Sequence, residues 1–119
     1  MTAADSSRIA EALRLELRRG TLVLAVLAVL ERERNGTQVR KDLGEAGLNI
    51  EEGALYPMLR RLEDQGLLAS SWRIDQSRKK RFYLATAEGR RIHAILMHDW
   101  RHHDDALAKL KGLTSDVDD

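Results

Sequence analysis

The chain has 119 residues, a length typical of one domain with a modest hydrophobic core. Twenty Lys and Arg against nineteen Asp and Glu give a formal net charge of +1, so any nucleic-acid surface must come from local clustering of cations. The absence of cysteine excludes a disulfide framework, a cysteine-ligated zinc site and a thiol nucleophile.

Neither a membrane span nor a secretory signal is indicated. The longest apolar run, Leu22–Leu30, has nine residues, under half of what a spanning helix needs. Acidic Asp5 and Glu11 precede any apolar stretch, unlike the start of a signal peptide. We therefore expect a cytoplasmic protein.

The first third of the chain predicts two helices. Residues 5–19 form an amphipathic helix with an apolar stripe at four-residue spacing, and residues 21–34 form a helix that is apolar on nearly every side. Gly20 is predicted to interrupt them, and Thr21 to cap the second. The candidate caps of the first helix are Asp5, Ser6 and Ser7, and its stripe is Ile9, Leu13 and Leu17.

Two further helices follow, over about residues 37–47 and 49–66. The signals that begin and end them are the Asn35-Gly36 turn, the N-cap candidate Thr37, a glycine at Gly47, a capping-box pattern at Asn49 and Glu52, and a glycine at Gly66. Their predicted buried sides are Val39 and Leu43 in the first, and Leu55, Met58, Leu59 and Leu62 in the second.

Beyond Gly66 the pattern changes to that of extended strands. Leu68, Ser70, Trp72 and Ile74 fall on one side of the first run, and residues 82–84 form a second β-rich run. Residues 75–80 lie between them and contain three consecutive cations, Arg78 to Lys80. The segment predicts a two-stranded hairpin with a basic tip.

A last helix is predicted from Thr86 and Gly89 to about Lys111. Its apolar positions repeat close to every 3.5 residues, the period of a helix that packs along another helix. We call these positions the seam: Ile92, Leu96, Trp100, His103, Leu107 and Leu110. Residues 113–119, with three aspartates, are predicted to be a disordered acidic tail.

Three helices followed by a basic hairpin define a mainly α fold with a small β-hairpin, the winged helix-turn-helix. The charge distribution favours DNA as the partner. Residues 72–91 hold seven cations and two carboxylates, whereas residues 99–119 have a net charge of −3. DNA is therefore expected to approach from the side of the hairpin, which would be the wing.

The helix over 49–66 is the predicted recognition helix. Its outward face consists of Gly53, Tyr56, Pro57, Arg60 and Arg61. A proline inside a helix clashes with the carbonyl four residues earlier, and that residue is Gly53, so we expect a kink rather than a break. In the alternative interpretation Tyr56 packs on the wing and Arg60 is only a solvated charge.

Four stretches resemble the PadR family of bacterial transcriptional regulators: Leu17–Leu22, Gly53–Glu63, Gly66–Leu68 and Tyr83–Gly89. The Gly-x-Leu-Tyr-Pro block followed by Thr-x-x-Gly carries the resemblance, which spans about residues 15–90. A single C-terminal helix resembles the shorter subfamily. That implies a homodimeric regulator, mostly a repressor, released from DNA by small molecules or other signals. Ala54 departs from the family pattern, which usually has a hydroxyl residue there.

Other patterns in the last helix are open to two interpretations. His98 and His102 have metal-ligand spacing with Asp99 and His103 adjacent, but no remote ligand completes a shell, so we expect no metal. Trp100 either belongs to a dimer core or lines a cavity for planar aromatic ligands between subunits. No cofactor motif or catalytic constellation is present, so we expect no enzyme.

The sequence thus predicts a homodimeric repressor that binds a palindromic operator and is nucleoid-associated when bound. The predicted DNA contacts are Gln38, Gly53, Tyr56, Pro57, Arg60, Arg61, Arg78, Lys79 and Lys80. The predicted dimer contacts are Ile9, Leu13, Leu17, Ile92, Leu96, Trp100, Leu107 and Leu110, and the candidate ligand contacts are Leu96, Trp100 and His103. The corresponding segments are 1–20 (dimer support), 21–85 (DNA binding), 86–112 (dimerisation) and 113–119 (tail). The alternative is a winged-helix protein-interaction module with a coiled-coil partner and no sequence-specific DNA binding.

Overall fold

A computed structural model describes residues 1–118, with side chains to residue 112. Four helices and a small antiparallel sheet make up the fold, which confirms the mainly helical winged architecture. The elements are α1 (Ala3–Val29), β1 (Arg34–Asn35), α2 (Gly36–Glu45), α3 (Glu52–Asp64), β2 (Leu68–Asp75), β3 (Arg78–Ala85) and α4 (Ala87–Asp118). Within the described residues, no helix is both long enough and apolar enough to cross a membrane.

The N-terminal region is one continuous helix, so the predicted interruption at Gly20 is wrong. A glycine lowers helix stability by about 1 kcal/mol relative to alanine, which does not by itself end a helix. Thr21 is not an N-cap, because its hydroxyl donates back to the carbonyl of Leu17 at 3.3 Å within the helix. The cap of α1 is Thr2, which forms a reciprocal capping box with Asp5.

The ends of α2 and α3 agree with the predicted glycines, but their starts do not agree with the predicted caps. Gly47 and Gly66 adopt positive φ, and the amide of the next residue bonds back into the preceding helix in each case. The N-cap of α2 is Asn35, in a capping box with Gln38, rather than Thr37. α3 begins after Glu51 without a side-chain cap, so the predicted capping box at Asn49 is also wrong.

The sheet has three strands in the order β1-β3-β2, not the predicted two. β1 consists of Arg34 and Asn35, which pair with Tyr83 and Phe82 and so attach the hairpin to the start of α2. A two-residue stretch has no periodicity, which is why the sequence did not reveal it. The hairpin itself turns at Gln76 and Ser77, both with positive φ, as a two-residue turn of the primed type requires.

The core lies where α1, α2, α3 and the base of the hairpin meet. Its fully buried side chains come from all three helices: Val26, Leu27, Leu30, Val39, Leu43, Leu55 and Leu59. Leu62 and Leu68 are nearly as buried, which connects α3 to the hairpin. The apolar side predicted for the recognition helix is therefore confirmed, with Met58 half-buried at its edge.

The hairpin leads into α4 through a tight joint. Thr86 accepts a hydrogen bond from the amide of Gly89 at 3.0 Å and donates to the carbonyl of Gly66 at 2.7 Å, which confirms the predicted helix start. A β-carbon at Gly89 would collide with the carbonyl oxygen of Leu67, so only glycine fits there.

α4 is longer than predicted. It extends to Asp118, because no proline and no left-handed glycine ends the helix at Gly112. The structure therefore differs from the irregular tail expected for 113–119. The side chains of that segment, and the backbone of Asp119, lie outside the described residues.

Candidate nucleic-acid interface

The outward surface of α3 is a ridge with little side-chain bulk. Leu55, Leu59 and Leu62 face the core, and Gly53 and Pro57 are exposed one turn apart on another side of the helix. Nothing lies within 4 Å of the position that a β-carbon would occupy at Gly53. The helix is continuous through Pro57, so the prediction that proline does not break it is confirmed. Backbone can approach a duplex closely along this ridge.

Tyr56 lies at the junction of α2, α3 and the wing. A β-carbon at Gly36 would be 2.5 Å from its ring and hydroxyl, so the missing side chain of Gly36 makes room for the aromatic ring. Tyr56 also lies within electrostatic range of the Tyr83 hydroxyl on β3. The side chain keeps 37% of its surface exposed, so it packs on neighbouring elements and still presents an edge to solvent.

Arg60 and Arg61 point to different flanks of the ridge. Burial raises the pKa of Tyr83, and the positive charges of Arg81 and Arg60 oppose that rise, which places Arg60 on the wing side. Arg61 instead lines a groove on the α1 side. Both are exposed, and neither guanidinium group has a hydrogen bond or ion pair with another described residue. The ridge is therefore flanked by a free guanidinium on each side.

Gln38 has a structural role in addition to the predicted one. Its side-chain oxygen accepts from the amide of Asn35 at 2.9 Å, which completes the cap of α2. The amide NH₂ of a glutamine in this position still has donors to offer. A contact between Gln38 and DNA stays a prediction, and it would have to use that group.

Most wing cations are held by carboxylates. Arg73 pairs with Glu33 at 2.8 Å, Lys80 with Asp75 at 3.3 Å, and Arg81 with Glu63 of α3 at 2.9 Å. The hydroxyl of Ser70 joins this last pair, because it donates a hydrogen bond to Glu63 and accepts one from Arg81 at 2.9 Å. These contacts connect the hairpin to α3. The net charge of the wing segment therefore overstates the number of cations available to phosphates.

The predicted basic tip is wrong in its placement, because Arg78 to Lys80 belong to β3 and the turn itself is uncharged. Successive side chains of a strand point to opposite faces, so Arg78 and Lys80 share one face and Lys79 lies on the other. The ammonium of Lys79 is 5.5 Å from the centre of the Trp72 ring. Arg78 and Lys79 are the cations of this trio that no described carboxylate pairs.

A groove of about 1170 Å³ runs between α1, α2 and α3 on the other flank of the ridge. We call it the basic groove, after its cationic lining residues Arg18, Arg19, Arg40, Lys41 and Arg61. Glu51 is the one carboxylate among the described residues that line it. Gly53 and Pro57 of the ridge also line it. This surface could not be predicted from the sequence, because its cations come from three separate helices and no single motif contains them.

Most of the residues predicted to form the dimer interface are exposed in the single chain. Ile9, Leu13 and Leu17 of α1 are exposed, and on α4 the exposed fractions are 48% for Trp100, 66% for Leu107 and 59% for Leu110. Ile92 and Leu96, nearer the winged domain, are half-buried. The far half of the seam therefore has apolar surface that the described chain does not cover.

The histidines of α4 show no metal-binding arrangement. Among the described residues, no group of three or more His, Cys, Asp or Glu is placed to hold a metal ion. His98 lies 3.7 Å from the carboxylate of its neighbour Asp99, and the rings of His102 and His103 are 6.1 Å apart. His103 is exposed on the seam beside Trp100.

This arrangement defines a class of protein. The chain has a compact helical core and an α3 whose outward face is bare and flanked by guanidinium groups. A hairpin is docked on the end of α3 by the ion pair of Arg81 with Glu63. Together these features constitute a winged helix-turn-helix domain. The chain belongs to the PadR-like family of transcriptional regulators, whose family model matches residues 23–94. The resemblance seen in the Gly-x-Leu-Tyr-Pro block is thereby confirmed.

Individual relatives agree with this assignment. The chain is 34% identical over 98 residues to the transcriptional regulator Rv3488 of Mycobacterium tuberculosis, covering 82% of this chain and 89% of that protein. The crystal structure of a PadR family regulator from Eggerthella lenta is similar with a TM-score of 0.83 and 41% identity, over 91% of this chain and 96% of that one. A PadR-like regulator from Bacillus cereus, 20% identical, shares the fold with a TM-score of 0.72 over 80% of this chain and 95% of that one.

The family establishes the general function. Its members are transcriptional regulators that bind DNA, and they are not enzymes, so both of those predictions are confirmed. The winged domain, rather than α4, is the part of the chain that the family model covers most fully.

Proposed function

We propose that the chain is a homodimeric repressor whose α3 enters the major groove of a palindromic operator. The observation that carries this proposal is the bare ridge of Gly53 and Pro57, flanked by the free cations Arg60 and Arg61. A helix without bulky outward side chains allows close approach to base edges, and flanking guanidinium groups bind phosphates or guanine. Tyr56 and Gln38 would contact DNA beside the ridge, with Arg78 and Lys79 reaching phosphates from the wing.

We assign a function to each of the predicted segments of the chain. Residues 21–85 would bind DNA, residues 1–20 and 86–112 would form the dimer, and 113–119 would be an acidic tail outside both. The exposed stripe of α1 and the exposed half of the seam support the dimer, since apolar surface of this kind is stabilised by burial. A two-fold dimer presents two α3 helices and so reads two inverted half-sites.

Repression is the simplest outcome of such binding. A dimer that occupies promoter DNA blocks access to it, whereas activation requires a further surface that contacts the transcription machinery. Bound to its operator, the protein would be associated with the nucleoid.

The experiment that tests the function is recovery of bound fragments from sheared genomic DNA with the purified protein. We expect a palindromic motif whose half-sites are about 10 base pairs apart, because the two recognition helices of a dimer lie about one helical turn apart. Fragments without a shared motif, bound no better than bulk DNA, would contradict sequence-specific regulation.

We further propose that planar aromatic molecules bind between subunits at Leu96, Trp100 and His103. Trp100 keeps nearly half of its surface exposed on the seam, and a facing pair of indoles offers flat apolar walls. Ligands that stack there would alter the spacing of the two α3 helices and release the operator.

Trp100→Ala separates the ligand cavity from a close-packed dimer core. We expect the variant to stay dimeric with a modestly lower melting temperature, and to lose both fluorescence quenching and operator release by planar aromatic compounds. A buried Trp truncated to alanine typically costs about 3–5 kcal/mol, but a Trp lining an open cavity costs less. Trp72 remains as the reporter and the matched control is Trp72→Phe, which should retain the response. Dissociation of the Trp100 variant to unfolded monomers would assign the indole to the core.

A further inference from the structure

We propose that the basic groove is a second DNA-backbone site, in which Arg18 and Arg19 of α1 and Lys41 of α2 hold phosphates on the flank of α3 opposite the wing. This inference rests on the proposed DNA-binding function and extends it to residues outside the winged motif. The occupant is the sugar-phosphate backbone of the same duplex that α3 enters.

The balance of charged side chains in the basic groove favours an anionic ligand. Arg40 is committed within the fold, because its guanidinium donates to the carbonyl of Ile50 at 3.1 Å and pairs with Glu52 at 3.2 Å. Arg18, Arg19 and Lys41 have no ion pair with any residue in the described part of the chain. Glu51 is the one carboxylate among the described residues of the lining, so the groove keeps a net positive charge and attracts an anion. The groove is thus better supplied with free cations than the wing is.

The basic groove is continuous with the ridge of α3. Gly53 and Pro57, which face the duplex in the proposed complex, are also walls of the groove, and Arg61 and the α1 cations line the same groove. A duplex that contacts the ridge must place one of its backbones beside this groove, because the major groove is only about 12 Å wide. The other backbone then lies toward Arg60 and the wing.

The predicted dimer contacts of α1 lie away from the basic groove. On a helix with 3.6 residues per turn, Leu15, Arg18, Arg19 and Leu22 form one stripe of α1, and they line the groove. The predicted dimer stripe, Ile9, Leu13 and Leu17, falls on roughly the opposite side of the same helix. A partner subunit on that stripe leaves the groove open to DNA.

The salt dependence of DNA binding tests the inference. The variant Arg18→Ala/Arg19→Ala/Lys41→Ala is compared with wild type on a 30-bp duplex of mixed sequence, by fluorescence anisotropy over a series of NaCl concentrations. Each lost phosphate contact lowers the log–log slope by about 0.9, so we expect the slope to fall by roughly 2 to 3 and the affinity at 0.1 M salt to fall at least about tenfold.

The matched control is Arg8→Ala/Arg101→Ala/Lys109→Ala, which removes the same net charge from exposed positions on α1 and α4 outside the groove. It should retain most of the wild-type slope. Circular dichroism melts of both variants establish that they fold, since all six side chains lie at or near the surface.

Equal slopes for the groove variant and wild type would overturn the groove site while leaving DNA binding intact. Equal losses of salt slope and affinity in both variants would show that only net charge matters, and this result would also overturn the groove site. A wild-type protein that binds no duplex would refute the proposed function itself.

Discussion

Leu107→Asp is expected to convert the proposed dimer into a folded monomer. Leu107 is 66% exposed in the single chain and lies on the far half of the seam, away from the winged core. Its loss should therefore not disturb the fold of residues 21–85. Burying one leucine contributes about 1.5–3 kcal/mol, and a two-fold dimer contains two copies. The dimer dissociation constant should rise at least about 100-fold, more once the burial of a carboxylate is included.

Analytical ultracentrifugation measures this change directly. Ala108→Asp is the matched control, because Ala108 is exposed on α4 but lies away from the seam. It introduces the same charge one residue along, and it should leave the dimer intact. A palindromic duplex should bind the Leu107 variant much more weakly, since the two half-sites are then occupied independently. Unchanged sedimentation of Leu107→Asp would show that the seam is not the dimer interface.

Substitutions at the wing and at Arg60 should weaken DNA binding in two different ways. The triple variant Arg78→Ala/Lys79→Ala/Lys80→Ala should bind all duplexes less tightly, with a salt slope lower by about 2. The fall is smaller than three lost cations would suggest, because Lys80 already pairs with Asp75. Arg60→Ala should instead reduce operator binding more than non-specific binding, with a discrimination loss of about 1–3 kcal/mol if the guanidinium reads a base edge.

The single variant Lys80→Ala provides the internal control and should leave the slope nearly unchanged. Titrations of the operator and of a scrambled duplex, each at several salt concentrations, distinguish the two behaviours. A triple variant with wild-type slope would remove the wing from the interface. Equal losses for Arg60→Ala on both duplexes would make Arg60 a phosphate contact without a role in specificity.

Several elements could be predicted because their causes are local in the sequence. The apolar positions of α3 repeat at helical spacing, and Leu55, Leu59 and Leu62 are buried as that spacing requires. Gly47 and Gly66 end their helices with positive φ, a conformation that glycine adopts without strain. The Gly-x-Leu-Tyr-Pro block identified the family, because it combines the packing side and the outward side of one helix in a single short segment.

The errors concern features whose cause lies elsewhere in the chain. Gly20 is weakly unfavourable in a helix, and the packing of Leu22, Val26 and Leu27 against the core outweighs that preference. Strand β1 exists only because the edge of β3 offers hydrogen-bond partners to Arg34 and Asn35.

The sequence by itself determined the family, the order of α2, α3, the hairpin and α4, and the buried side of α3, because hydrophobic period and turn residues act over a few positions. Tertiary structure decided which cations are available to DNA. Arg73, Lys80 and Arg81 pair with Glu33, Asp75 and Glu63, whereas Arg18, Arg19 and Lys41 line one groove and form no ion pair with a described residue. The pairs of Arg73 with Glu33 and of Arg81 with Glu63 join elements that are remote along the chain, and composition cannot supply the distances of a few ångströms on which an ion pair depends.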